Sequence, residues 1–187
     1  MTRLDATRVL IETCGDDSSV PVIASLGHPA YDLFAAGDRA ANFYTWGSMG
    51  LASSIGLGIA IARPDLRVFV VDGDGSLLMN LGSLATIGWT KPANLVLIVW
   101  DNEEYGTTGG QGSATAHGAD LAAASRAMGI RSASTVRNER ELQAAIGAAR
   151  RDSGPSVIVA KVEESAPTIK PLNTDASPPT YCASTLP

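Results

Sequence analysis

Residues 67–76 read Arg-Val-Phe-Val-Val-Asp-Gly-Asp-Gly-Ser. An unbroken apolar, mostly β-branched run ends in an acid and passes into an acid flanked by glycines. No polar residue alternates with the apolar ones. That is the pattern of a strand covered on both faces, as in a parallel sheet under helices. Residues 20–26, 94–100 and 156–162 share it, so with 67–72 they are predicted strands. Helical patterns separate them, at 5–13, 51–62, 78–89, 120–128 and 139–151. The second and third stop before Pro64 and Pro92, and the fourth before Gly129, a C-cap residue type. In the last, Leu142, Ala145, Ile146 and Ala149 fall on one face. Strand and helix alternate. This predicts an α/β chain with a three-layer, doubly wound fold and a mostly parallel central sheet.

The 187 residues suit one domain, read as 1–163. Residues 164–187 hold five of the ten prolines and no periodic apolar pattern, and read as an extended Pro-rich tail. Nineteen acidic against fourteen basic residues give a net charge of −5. No basic cluster exists beyond Arg150 and Arg151, so no nucleic-acid partner is expected. Cys14 and Cys182 match no metal or redox spacing, which fits a reducing, cytoplasmic setting. The first residues carry charges where a signal peptide would be apolar. Residues 42–62 are uncharged and long enough to cross a membrane, but hold four Gly and three Ser. They read instead as a loop followed by a helix buried on all sides, and no membrane association is expected.

Ligands of open parallel sheets bind at the carboxyl ends of strands. Three such ends are unusual here: Ser25-Leu26-Gly27-His28-Pro29, Asp72-Gly73-Asp74-Gly75-Ser76, and the run from Asp101 to Gly110. Gly73 and Gly75 let backbone approach a ligand closely. Asp74 and Asn102 are hard oxygen donors separated by one helix and one strand, a length that returns the chain beside its start. Together with ligand phosphates they suit Mg²⁺ or Ca²⁺. The amides of Gly75 and Ser76, at the start of the next helix, suit an anion. Between Ala40 and Thr107 the only basic residues are Arg63, Arg67 and Lys91, none at a strand's carboxyl end. A phosphate bound there is expected to rest on a metal and backbone amides rather than on Arg or Lys. No GxxxxGK[ST] loop is present, and the glycines at 56 and 58 follow no strand.

These residues resemble the thiamine diphosphate enzymes. Their diphosphate motif begins Gly-Asp-Gly and ends in an Asn pair. Here it runs from Gly73-Asp74-Gly75-Ser76 to Asp101-Asn102, with Asp in place of the first Asn. The resemblance implies that Asp74, Asn102 and the main-chain carbonyl of Glu104 hold Mg²⁺. Relatives often carry Gly where Glu104 stands. The element Trp46-Gly47-Ser48-Met49-Gly50 also matches, with Gly47 as acceptor for the cofactor's pyrimidine amino group. Met49 would be the apolar wedge that bends the cofactor. The implied thiamine diphosphate site thus comprises Gly47, Ser48, Met49, Gly73, Asp74, Gly75, Ser76, Asn102, Glu104, Tyr105, Gly106 and Thr107. Residues 42–58 and 105–111 look most like the small cofactor-binding subunits of sulfopyruvate and phosphonopyruvate decarboxylases.

Enzymes of this family also use a glutamate from a pyrimidine-binding domain about as large as this whole chain. The expectation is a partner subunit of similar size that supplies it, with the active site at the interface. The resemblance implies a carboxy-lyase acting on a small 2-oxo acid. A carboligase of acyloin or acetolactate type, and a non-catalytic scaffold, are the other readings. His28 is the one titratable side chain at a strand end near the expected site, and the catalytic candidate. It would be a proton relay or substrate contact, or else contact the cofactor or pack the loop. His117 follows a stretch that could close over substrate, or is an exposed loop residue. Asp101 reads as a brace for its loop.

Overall fold

A computed structural model describes residues 1–163, apart from 16 and 18. The tail and Cys182 lie outside the described residues. The elements, in chain order, begin with α1 (Arg3–Cys14), β1 (Val22–Ala24), α2 (His28–Ala36), β2 (Asn42–Tyr44), α3 (Ala52–Ala62) and β3 (Val68–Gly73). The chain continues through α4 (Asp74–Met79), α5 (Gly82–Thr90), β4 (Leu95–Asp101) and a hairpin of β5 (Glu104–Tyr105) and β6 (Gln111–Gly112). It closes with α6 (Leu121–Ala127), β7 (Ser132–Val136), α7 (Glu139–Arg151) and β8 (Ser156–Lys161).

Six strands form one sheet in the order β2-β1-β3-β4-β8-β7, and every pairing in it is parallel. The expected doubly wound fold is therefore present. All seven residues of β4 are buried, which explains its unbroken apolar run. The strand's period of two still sorts them. Val96, Ile98 and Trp100 enter a core shared with α1, α2 and α7, while Leu95, Leu97 and Val99 enter one shared with α3, α5 and α6. Each fully buried Leu or Ile is worth roughly 1.5–3 kcal/mol against exposure. A side chain at Gly88 would run into the Met128 carbonyl, so that glycine sets how closely α5 packs on the end of α6.

Several boundaries differ from expectation. The helix expected over 78–89 is two helices, and the first begins at Asp74, absorbing the presumed turn. The break falls at Asn80, whose side-chain amide donates to the Gly50 carbonyl at 2.9 Å and to Ser54 at 3.1 Å. The segment 42–62 holds a short strand before its helix, and α3 is not buried all round: Ser54, Gly58 and Ile61 are exposed. Among the described residues no helix is long and apolar enough to cross a membrane. The capping on α7 is reciprocal, with Asn138 accepting from the Glu141 amide at 2.9 Å and donating to its carboxylate at 2.7 Å.

Candidate functional site

The sheet order places a crevice between β1 and β3. Beyond β1 the chain turns to α2 on one face, where Ala30 and Leu33 join one core. Beyond β3 it turns to α4 and α5 on the other face, where Leu77 and Leu84 join the second. Loops that leave in opposite directions open a cleft at the carboxyl ends of the strands. Here that cleft is about 440 Å³. Its walls bring together His28, Met49, Gly73, Asp74, Gly75, Ser76, Asn102, Glu104, Tyr105, Gly106 and Thr107, along with Arg3, Leu26 and Trp100. Gly47 and Ser48 are exposed and do not line it. A second cleft of about 410 Å³ shares Leu26 and Thr107 with the first and adds Tyr31, Tyr44, Thr45 and Trp46.

Asp74 is the first residue of α4 and is 1% exposed. Its Oδ2 accepts from Ser113 at 2.5 Å and lies 2.9 Å from the Thr115 hydroxyl. Its Oδ1 is buried with no hydrogen-bond partner. Burial raises the carboxyl's pKa, the Asp101 charge adds to this, and the two hydroxyls oppose it. A buried carboxylate oxygen without a donor is costly unless a cation completes it. Asn102, in the same cleft, supplies the second hard donor, and its amide nitrogen donates to Glu104 Oε1 at 3.3 Å. An unpaired carboxylate oxygen and an amide oxygen in one cleft fit a hard cation such as Mg²⁺.

Behind Asp74 stands a brace. Thr115 also lies 2.8 Å from Asp101 Oδ1, and the Glu103 amide donates to that oxygen at 3.2 Å. Lys161, at the end of β8, ion-pairs with Asp101 Oδ2 at 2.7 Å and with Glu103 at 2.8 Å. Asp72, directly below, is fully buried, and burial pushes its carboxyl up to about 6. Ser76 contacts Ser25 at 3.1 Å and accepts from the Gly50 amide at 2.9 Å. With Asn80 this ties the loop of Met49 to the start of α4.

Gly27 caps α2 with φ +75°, and a side chain there would overlap Thr107. Only glycine adopts that φ at no steric cost. At Gly75 the ring of Tyr105 packs where a side chain would be. The glycine thus admits an aromatic ring at least as directly as a ligand. His28 opens α2 and is half-buried. Burial lowers its pKa, Arg3 lowers it further, and Asp32 opposes. His117 is exposed and stands outside the cleft.

Sequence reasoning missed Ser113, Thr115, Asn80, Lys161 and Arg3. Lys161 is the one charged residue near the carboxyl end of the strand expected over 156–162, so its position alone was a signal. The hydroxyls carried none. Arg3 corrects the expectation that the cleft lacks Arg and Lys, because α1 brings it in from outside the segment considered.

A doubly wound sheet with an acid–amide donor pair at its switch point defines a cofactor-binding α/β domain. Residues 28–160 match the thiamine pyrophosphate enzymes through their C-terminal TPP binding domain, and the chain belongs to that family. Sulfopyruvate decarboxylase subunit beta of Methanococcus maripaludis is 43% identical over 178 residues, which cover 94% of this chain and 93% of that one. Phosphonopyruvate decarboxylase of Streptomyces viridochromogenes is 38% identical over 157 residues, 84% of this chain but 38% of that one. The solved thiamine diphosphate-dependent 4-hydroxybenzoylformate decarboxylase of Rhodococcus jostii superposes with a TM-score of 0.76 at 17% identity. That match covers 88% of this chain and 33% of the other, and shows the shared fold.

Proposed function

We propose that this chain is the cofactor-binding subunit of a two-chain, Mg²⁺- and thiamine diphosphate-dependent decarboxylase of a small 2-oxo acid. The observation that carries this is Asp74, with one oxygen held by hydroxyls and the other buried and unpaired, beside Asn102 at the switch point. Asp74, Asn102 and the Glu104 carbonyl would hold the metal. Gly73, Gly75, Ser76, Tyr105, Gly106 and Thr107 would take the diphosphate end, and Gly47, Ser48 and Met49 the pyrimidine end.

Thiamine diphosphate, when bound, supplies an electron sink for the carbon–carbon bond that breaks. The chain's own residues hold and orient it. Ser113 and Thr115 aim Asp74, the contacts to Ser76 and Asn80 fix the loop of Met49, and His28, its pKa lowered by burial, can accept a proton. The Streptomyces relative is more than twice as long as the matched region, so a single chain there has length for a second domain. The Methanococcus relative is named as a subunit and is matched almost end to end. Both facts favour a partner subunit that supplies the activating glutamate. The sulfo- and phosphono- names of the two relatives favour a 2-oxo acid with a second, tetrahedral anionic group. Cysteine usage favours the cytoplasm as its setting.

Native mass spectrometry of the chain purified from its own host tests this. A second chain of similar size with thiamine diphosphate and Mg²⁺ is expected, and the complex should release carbon dioxide from sulfonated pyruvate. A chain that binds no cofactor when both are supplied would overturn the reading.

A further inference from the structure

Arg3 is the first residue of α1 and is 3% exposed, yet it lines the cleft. Its Nε ion-pairs with Asp32 on α2. Among the described residues, no hydrogen bond uses Nη1 or Nη2. A guanidinium presents five N–H donors in a rigid fork, so four are left without a protein acceptor. Pinning α1 to α2 needs only the bond from Nε. The Nη groups are not among the buried atoms left unpaired, so they face the open cleft, where an anion can take them with charge-assisted hydrogen bonds.

The other charged groups of the cleft are few. His28, also lining it, is close enough for the Arg3 charge to lower its pKa. Asp74 and Glu104 are the carboxylates of the wall, and each has donors of its own in Ser113, Thr115 and Asn102. Arg3 is therefore the one permanent cation among the lining residues.

We propose that Arg3 is the cleft's oxyanion-binding residue, its Nη donors taking a tetrahedral phosphoryl or sulfonyl group while Nε stays paired with Asp32. This rests on the thiamine diphosphate reading for the source of the anion. That source is either the cofactor's diphosphate or the second acidic group of the substrate.

The test compares full-length wild type, Arg3→Met, Asp32→Asn and the double variant Arg3→Met/Asp32→Asn. Three quantities are read: the dissociation constant of inorganic pyrophosphate, that of thiamine diphosphate with Mg²⁺, and KM for sulfonated and unsubstituted 2-oxo acids in the complex with the partner. The expected result is a loss of about tenfold or more on Arg3→Met, with Asp32→Asn within about threefold of wild type. A loss in both dissociation constants assigns Arg3 to the cofactor. A loss confined to KM of the sulfonated acid assigns it to the substrate. Should Arg3→Met alone fail to fold, the double variant, which buries no lone charge, decides by the same criterion. Equal effects in all three variants, or no effect in any, would show that Arg3 only pins α1 and overturn the proposal. Failure of wild type to bind thiamine diphosphate would instead overturn the function, and the pyrophosphate arm would still decide Arg3.

Discussion

The hydroxyl of Thr115 lies 2.9 Å from Asp74 Oδ2, across 41 positions of sequence. The same hydroxyl lies 2.8 Å from Asp101 Oδ1, so one small side chain ties the carboxylate at the end of β3 to the one at the end of β4. A hydrogen bond to a charged group contributes about 1.5–3 kcal/mol. Thr115→Val is therefore expected to weaken Mg²⁺-dependent cofactor binding by about tenfold or more. Thr115→Ser should restore it, because it keeps the oxygen. Isothermal titration of both variants checks this, and equal affinity in Thr115→Val and wild type would show that Ser113 alone holds Asp74.

Asp74 should trade stability for binding. Its buried Oδ1 has no donor in the absence of a cation, and burial raises its pKa. Asp74→Asn removes the charge and keeps an acceptor for Ser113. The metal-free variant is expected to melt above wild type by roughly 2–4 °C, about 1 kcal/mol for a chain of this size. It should also lose Mg²⁺-dependent cofactor binding. Paired thermal melts with and without Mg²⁺ and thiamine diphosphate check both halves, and a variant that melts lower without metal would contradict the argument.

The four interior strands were legible because burial on both faces removes polar residues from them. The two edge strands were not. β2 has three residues, and β7 is Ser-Ala-Ser-Thr-Val, mostly exposed, so neither shows an apolar run. Short, polar edges are how a sheet avoids pairing with a second one, and that same property hides them from pattern reading. The helix beginning at Asp74 was hidden by its own Gly-Asp-Gly-Ser start, which reads as a turn. At the site, Asp74 and Asn102 were legible because one β–α–β unit joins them. Ser113, Thr115 and Arg3 were not, since no local spacing encodes which distant loop or helix reaches the cleft.

Gly27 is tightly constrained. Its φ of +75° favours glycine, and Thr107 fills the space a side chain would need. Gly27→Ala is expected to cost about 2 kcal/mol or more and to displace the segment of Thr107 from the cleft. Adding Thr107→Ala should recover the steric part and leave the backbone part. Denaturant unfolding of the two variants separates these, and full recovery in the double variant would show that φ contributes nothing.

Cys14 sets a pH limit at the other end of the chain. It is 3% exposed at the end of α1, and burial pushes its thiol up to about 11, with Arg39 and Arg150 opposing. The native state then holds this proton where the unfolded chain has lost it. Stability is complete below the ordinary thiol value of 9.0 and falls as pH rises from there toward 11. Cys14→Ala leaves a small cavity, which lowers stability at every pH, but it removes this slope. Unfolding free energies at pH 8, 9.5 and 11 should therefore converge between variant and wild type as pH rises, a trend the thiol alone produces. At pH 8 the native chain should leave Cys14 unmodified by a thiol reagent, while the unfolded chain reacts, as peptide mapping would show. Rapid labelling of native Cys14 would mean that the end of α1 opens well below the global unfolding free energy.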